Sequence, residues 1–289
     1  MSFTLFILKG QNMRFYLVVS FFFIYVFSCW AIVDFKTGMF TDNDYVYHIS
    51  KHISALEKIY NNNNYEKVVP SIEPRIPKII HQIWIGSEVP PQFKKIMETW
   101  KKIHPDWTYK LWTDEDIENF PFINRKAFDD SGNNKGLKSD IWRLEILYQY
   151  GGLYADTDFE SIKPQDILHH CHDFYIGCLY DAIQNSTFAS KPKHPILLNC
   201  LKALKKTKIT SKCDALRTTG SYFLTKIVLK YIHSHPTDNK ICVYPISFFY
   251  PFPGRLRHNY WQGKIPREVL ESYFTKETFS VHLWATSWQ

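Results

Sequence analysis

Hydrophobic and polar positions divide this chain into three stretches. From Phe15 to Val33 nineteen residues pass without a charge, a run long enough to cross a bilayer as a helix. Lys9 and Arg14 precede it and Asp34 follows, so the positive-inside bias leaves residues 1–14 as a cytosolic tail and carries the remainder across the membrane. The expectation is a single-pass type II membrane protein, its main domain in a Golgi-like lumen if the host is eukaryotic. Small residues near Ser28 and Ala31 keep a signal peptide as the competing reading of 15–33. Residues 34–74 read as a stem or linker. "VYHISKHISALEKIY" sets Val46, Ile49, Ile53, Leu56 and Tyr60 at alternating spacings of three and four, the apolar stripe of a short docked helix. "NNNNY", then Pro70, Pro74 and Pro77, close the stretch.

Residues 75–289 carry the pattern of a folded α/β domain. "KIIHQIWIG" is an apolar, β-branched run ended by Gly86, which predicts a buried strand. "PPQFKKIMETWKKIHPD" opens on prolines suited to a first helical turn and spaces Phe93, Ile96, Met97 and Trp100 helically. "WTYKLWT" alternates like a strand, and in "TDEDIENF" Thr113 is placed to cap a helix with an acidic first turn. Strand, helix, strand, helix predicts βαβ units, a parallel sheet, and a ligand site at the carboxyl ends of its strands.

One helix and the strand after it carry the chemistry. In "LKSDIWRLEILYQY", at about 100° per residue, Ile141, Leu144, Leu147 and Tyr148 form an apolar arc that also contains Asp140 and Arg143. Glu145 and Gln149 share the polar face with Trp142. A charge on the buried side requires a partner or a polar cavity. Either Asp140 and Arg143 pair internally at i,i+3, or this face borders a ligand cleft. "YGGLYADTDF" follows, with Gly151 suited to a left-handed cap. In an extended chain Tyr154, Asp156 and Asp158 point to one side. Neighbouring carboxylates repel and are costly to desolvate. A divalent cation, Mn²⁺ or Mg²⁺, resolves that conflict, and such cations share carboxylates with substrate phosphates. A diphosphate-bearing substrate is the expectation.

Composition narrows this picture. Aromatic residues make up 17% of the 289 and apolar residues 45%, which excludes disorder of the whole chain. The net charge of +7 suits anionic partners, yet Lys and Arg form no block of five, so a nucleic-acid footprint is missing. The excess reads as ordinary solvated surface. The six cysteines are irregularly spaced and leave room for one bridge rather than a disulfide framework. "HHCHDFYIGC" lacks the CxxC pairs of a zinc module.

Four ordered blocks, "IPKIIHQIWIG", "WKKIHPDWTYKLWTDED", "KSDIWRLEILYQYGGLYADTDFESIKP" and "VHLWATSW", resemble the family 32 glycosyltransferases with a DXD motif. These include initiating α-1,6-mannosyltransferases and inositol-phosphoceramide mannosyltransferases; the clostridial glucosylating toxins are more distantly similar. The resemblance spans roughly residues 75–289. It implies a GT-A fold, a Rossmann-like mixed and mainly parallel sheet flanked by helices. It also implies a GDP- or UDP-linked sugar donor held through a divalent cation, and retention of anomeric configuration by same-face substitution. Carried over by position, Trp84 stacks on the donor base and Asp140 binds sugar or ribose hydroxyls. Arg143 contacts donor sugar or diphosphate, Tyr154 joins the donor site, Asp156 holds ribose or metal, and Asp158 ligates the metal. Asn185 in "QNSTFASKPKHP" lines the sugar pocket. His282, Trp284, Ser287 and Trp288 match a segment that closes over the diphosphate, with His282 a further metal ligand.

The function expected is a membrane-held hexosyltransferase that moves mannose, galactose, glucose or GlcNAc to a glycan, glycolipid or protein acceptor, with no nucleic-acid partner. Two rivals stand beside it. A DxD phosphohydrolase is opposed by Phe159 and Glu160 after the second Asp and by the glycines of "YGGLY". A catalytically silent carbohydrate-binding protein is opposed by the intact Asp156, Asp158 and Arg143.

Overall fold

The apolar runs after residue 77 become strands. In chain order they are β1 (Ile79–Ile83), β2 (Thr108–Trp112), β3 (Gly152–Ala155), β4 (Phe159–Ser161), β5 (Phe174–Leu179), β6 (Ala182–Ser190), β7 (Ile241–Tyr244) and β8 (Ser280–His282). The computed structural model describes residues 32–39, 53–180 and 182–285. Six strands form one sheet in the order β2-β1-β3-β6-β5-β7, and β4 and β8 form a separate ribbon. β1 is parallel to β2 and β3, and β5 to β7, whereas β6 is antiparallel to both its neighbours. Every strand of the sheet except β6 therefore ends on the same edge, and the sheet is mixed and mainly parallel, as expected.

The helix Pro91–Ile103 buries Phe93, Ile96, Met97 and Trp100, as its periodicity requires. It also fixes β4. Trp100 Nε1–H donates to the Phe159 carbonyl at 2.7 Å, and Thr99 Oγ1 accepts from the Ser161 N–H at 3.0 Å. Thr113 caps the short helix Asp114–Ile117, with Asp116 accepting from the Thr113 N–H at 2.8 Å. The helix Lys135–Tyr150 is capped by the Asn134 side chain, which accepts from the Leu137 N–H. Its expected polar face does not exist at Glu145 and Trp142, both fully buried. Neighbouring helices cover these turns. The Glu145 carboxylate instead accepts from the backbone N–H groups of Ile123 and Asn124 and from the Asn124 side chain.

The two glycines between this helix and β3 have separate duties. Gly151 sits at φ +66° and ψ −165°, a region open to glycine, rather than in the left-handed helical cap expected. Gly152 sits at φ +99°, and a Cβ there would lie 2.6 Å from the Ile79 carbonyl oxygen on β1. Both are needed for so abrupt a passage from helix to central strand.

The described parts of residues 34–74 pack on this body. The helix Ile53–Asn63 buries Ile53, Leu56, Ile59 and Tyr60. Asn63 Nδ2 donates to the carbonyls of Asp238 and Ile241, both at 2.9 Å. Val46 and Ile49 of the expected stripe lie outside the described residues, as do residues 15–31 of the expected anchor. Among the described residues no helix is long and apolar enough to cross a membrane. Cys171, Cys178, Cys200, Cys213 and Cys242 are free thiols, so the bridge for which the sequence left room does not form among them.

Candidate active site

β3 ends at Ala155 and the chain turns at residues 157–158 before entering β4. Asp156 and Asp158 are therefore neighbours across a tight turn, not on one side of an extended strand as the alternation suggested. β4 pairs antiparallel with β8, setting Phe159 opposite His282. The His282 ring lies on Phe159, centroids 4.5 Å apart and planes 7° apart. One ligand atom from each of Asp156, Asp158 and His282 lies within 4.8 Å of the others. Sequence separations of 2 and about 125 residues thus collapse into one cluster at the carboxyl edge of the sheet.

Each carboxylate is held through one oxygen. Asp156 Oδ1 accepts from the Tyr154 hydroxyl at 2.7 Å and lies 3.2 Å from Arg143 Nη2. Asp158 Oδ2 accepts from the Ala285 N–H at 2.7 Å and lies 3.2 Å from His282 Nε2. The second oxygen of each accepts no hydrogen bond from the described residues. Burial, only partly offset by Arg143 and reinforced by the charge of Asp158, pushes the Asp156 carboxyl up to about 6. Burial acts to raise Asp158 as well, but His282 and the Ala285 N–H hold it below the ordinary carboxylate value. The cluster also leaves His282 Nδ1 buried without a hydrogen-bond partner. Two carboxylates and an imidazole so placed fit a divalent cation.

Asp140 and Arg143 form the other end. Arg143 Nη2 lies 3.3 Å from Asp140 Oδ1, so the internal pair exists. The same nitrogen lies 3.2 Å from Asp156, which joins the pair to the carboxylate cluster. Arg143 is 3% exposed. Its Nε–H donates to the Ser139 carbonyl, Nη1 to the Asn185 carbonyl at 2.7 Å, and Nη2 to Ser139 Oγ at 2.9 Å. Its guanidinium lies over the Tyr154 ring, 4.5 Å from the centroid. Asp140 accepts from Asn185 Nδ2 at 2.7 Å and from Thr219 Oγ1 at 2.8 Å. Burial still raises its carboxyl, Arg143 being the largest opposing influence. Asn185-Ser186-Thr187 has the form of an N-glycosylation sequon, but the Asn185 side chain is buried and committed to Asp140.

The remaining candidates lie on the C-terminal side. Trp84 forms an apolar cluster with Phe93 and Met97, its ring 4.9 Å from Phe93, and Ala285 packs against that cluster. Through Ala285 the Trp84 cluster and Asp158 are linked. Trp284 adopts φ +56°, donates from Nε1 to the Phe252 carbonyl at 2.8 Å and sits 4.0 Å from the His282 ring centroid. Ser287 and Trp288 lie outside the described residues. Sequence reasoning missed three participants. Thr219 holds Asp140, Gln82 donates to the Asp156 carbonyl at 3.1 Å, and Tyr109 donates to Gln82 Oε1 at 2.6 Å. A buried Gln in the middle of an apolar strand was the one available signal, since such a group must find partners.

Fold and cleft together define a mixed α/β protein with a cation-type carboxylate cluster at its sheet edge. Residues 90–175 match the family model described as "Glycosyltransferase sugar-binding region containing DXD motif", and the resemblance read from the sequence is borne out there. The chain is 32% identical to "Inositol phosphoceramide mannosyltransferase 1" of Schizosaccharomyces pombe over 168 residues, 55% of this chain and 53% of the relative. It is 31% identical to "Mannosyl phosphorylinositol ceramide synthase CSH1" of Saccharomyces cerevisiae over 162 residues, 54% of this chain and 43% of the relative. The chain thus spans about half the length of the curated relatives it matches. Among solved structures, "PaToxG Glycosyltransferase" is similar at 24% identity and TM-score 0.48, covering 63% of this chain and 78% of that one.

Proposed function

We propose that this chain is a cation-dependent glycosyltransferase of GT-A type, moving a hexose with retention from a GDP- or UDP-linked donor to a glycolipid or glycan acceptor. The observation that carries the reading is the Asp156–Asp158–His282 cluster, whose two Asp residues lie inside the stretch that matches a DXD glycosyltransferase region and whose His is brought to them by the pairing of β4 with β8. Those three residues would hold the cation, which when bound supplies positive charge opposite the leaving diphosphate.

The other residues have distinct parts. Arg143, enclosed by protein, orients Asp140 and Asp156 rather than reaching the diphosphate itself. Asp140, a carboxylate with about four acceptor sites, keeps capacity for a sugar hydroxyl beside Asn185 and Thr219. Tyr154 fixes the rotamer of Asp156. Trp84, against whose cluster Ala285 packs, is assigned the donor base. Trp284, Ser287 and Trp288 are assigned to closing the site over the diphosphate. The residues 15–33 are assigned to membrane attachment ahead of the domain at 75–289.

The test is release of free nucleotide from a panel of sugar nucleotides with an acceptor present, with and without Mn²⁺. Cation-dependent release from one donor supports the reading. Hydrolysis of simple phosphomonoesters in place of transfer, or full activity after Asp158→Ala, overturns it.

A further inference from the structure

The net charge of +7 was read from the sequence as dispersed surface, and the fold concentrates it. Residues 202–230 hold eight Lys and Arg against the single Asp214, a net +7 equal to that of the whole chain. The helices Pro195–Leu204 and Ser221–Ser234, with the loop between them, gather six of these cations around one groove of about 700 Å³: Lys202, Lys206, Lys208, Arg217, Lys226 and Lys230. No Asp or Glu lines it. Tyr222, Lys226 and Lys230 fall at i, i+4 and i+8, an exposed stripe along one helix. Tyr222 and Leu216, at the groove's Arg217 end, are each 55% exposed.

We propose that this face docks the protein on the anionic surface of a lipid bilayer. The charge sign, a single counter-charge at Asp214, which pairs with Arg217 at 3.5 Å and leaves the five groove lysines in excess, and an aromatic and an aliphatic side chain exposed beside them are the combination that binds headgroup phosphates while apolar side chains enter the interface. The alternative of a nucleic acid is disfavoured by the exposed aliphatic Leu216 beside the cations, which suits a bilayer interface and not a phosphate backbone. Docking has a consequence for the cleft. Thr218 and Arg217 line the groove, and the next residue, Thr219, holds Asp140. A bilayer on this face therefore abuts the sugar end of the proposed site, where a lipid-borne acceptor would arrive. The docking itself stands whether or not the transferase reading does.

The test uses the full chain, so its readout must be insensitive to insertion of the apolar segment 15–33. Cys213 is the one described cysteine that is not buried, and it lies on the loop between the two groove helices. In a Cys29→Ser background it accepts an environment-sensitive fluorophore. Vesicles containing phosphatidylserine should shift its emission, whereas phosphatidylcholine vesicles should not, and added salt should reverse the shift. Lys202→Glu, Lys206→Glu, Lys226→Glu and Lys230→Glu in combination should abolish it, with partitioning falling roughly fivefold for each charge removed. These lysines are exposed, and unchanged thermal melting establishes that the variant is folded. Soluble inositol hexakisphosphate and single-stranded RNA serve as competitors without a bilayer. An equal shift on neutral vesicles, no loss on charge reversal, or response to RNA but not to anionic vesicles would each overturn the proposal.

Discussion

The two ends of the cleft hold their carboxylates in opposite ways. Asp140 has both oxygens engaged by neighbouring side chains, Oδ1 by Asn185 and Arg143 and Oδ2 by Thr219. Asp156 and Asp158 are each held by other residues through one oxygen, and both belong to the cluster with His282. A satisfied buried charge supports structure, and an incompletely satisfied one awaits a ligand. Arg143 joins the two ends, with its Nη2 3.3 Å from Asp140 and 3.2 Å from Asp156. Substitution at the open end should therefore remove function and spare the fold, and substitution at the closed end should cost stability first.

The largest expected effect is at the open end. Asp158→Ala should lower transfer by roughly a thousandfold, the scale of losing a main electrostatic contributor at a reacting centre. It should leave the melting temperature nearly unchanged in the absence of cation. Mn²⁺ should raise the melting temperature of the parent protein and not of the variant, because a ligand stabilises only the state that binds it. An equal rise in both would place the cation elsewhere and break the comparison.

Arg143→Ala comes next and tests the joint. Removing one member of a buried ion pair leaves uncompensated charge and costs about 3–5 kcal/mol, here with two carboxylates stranded. Urea unfolding should show that loss. Arg143→Lys should recover little of it, because an ammonium cannot reproduce the planar fork that serves Ser139, Asn185 and both Asp residues. Loss of activity with stability intact would instead mean that Arg143 acts on the donor.

How much of this was legible in the sequence follows the same division. Helix Pro91–Ile103, the strands around it and the Thr113 cap were readable because their periods and caps are local. The cluster residues were readable because Asp156 and Asp158 stand in one motif and the resemblance added His282. The closed end was only half readable. That Asp140 and Arg143 lie on a buried face follows from helical spacing, but Thr219 is 79 residues from Asp140 and belongs to no pattern that announces it. Glu145 was misplaced because a helical wheel assumes one wet face, and this helix has neighbours on the side where that face was expected. The charge of residues 202–230 was diluted by averaging, and only the pairing of two helices made it a surface.

Imidazoles extend the contrast, with a smaller effect. His282 stands against a carboxylate, whereas His81 is sealed inside β1, with Trp112 Nε1–H donating to its Nδ1 and its Nε2 2.9 Å from the Gly151 carbonyl. Burial holds His81 down at about 4, and likewise His194 at about 4. The unfolded chain, with His near 6.5, therefore binds more protons than the folded one between these values. Stability is fully present above about pH 6.5 and is lost as pH falls toward 4, by about 3 kcal/mol for His81 alone once both states are protonated. Urea unfolding across that range checks this. Asp156, raised to about 6, contributes in the opposite sense over the same range, so a flat profile in an Asp156→Asn background would mean that the buried imidazoles are protonated in the folded state.

The smallest expected effect gives the sharpest separation of the two ends. Thr219→Val keeps the shape of the side chain and removes the hydroxyl that donates to Asp140 Oδ2 at 2.8 Å. A hydrogen bond to a charged group contributes about 1.5–3 kcal/mol at most, and Asp140 would retain Asn185 and Arg143, so a loss of about 1 kcal/mol is the expectation. If Asp140 only braces Arg143, the Michaelis constant for the donor should stay constant while stability drops. If Asp140 also takes a sugar hydroxyl, freeing Oδ2 should shift its preference among donor sugars while leaving Mn²⁺ stabilisation intact, because the proposed cation ligands are at the other end. A change in the Mn²⁺ response would show that the closed and open ends are one coupled unit, transmitted through the shared Arg143 nitrogen.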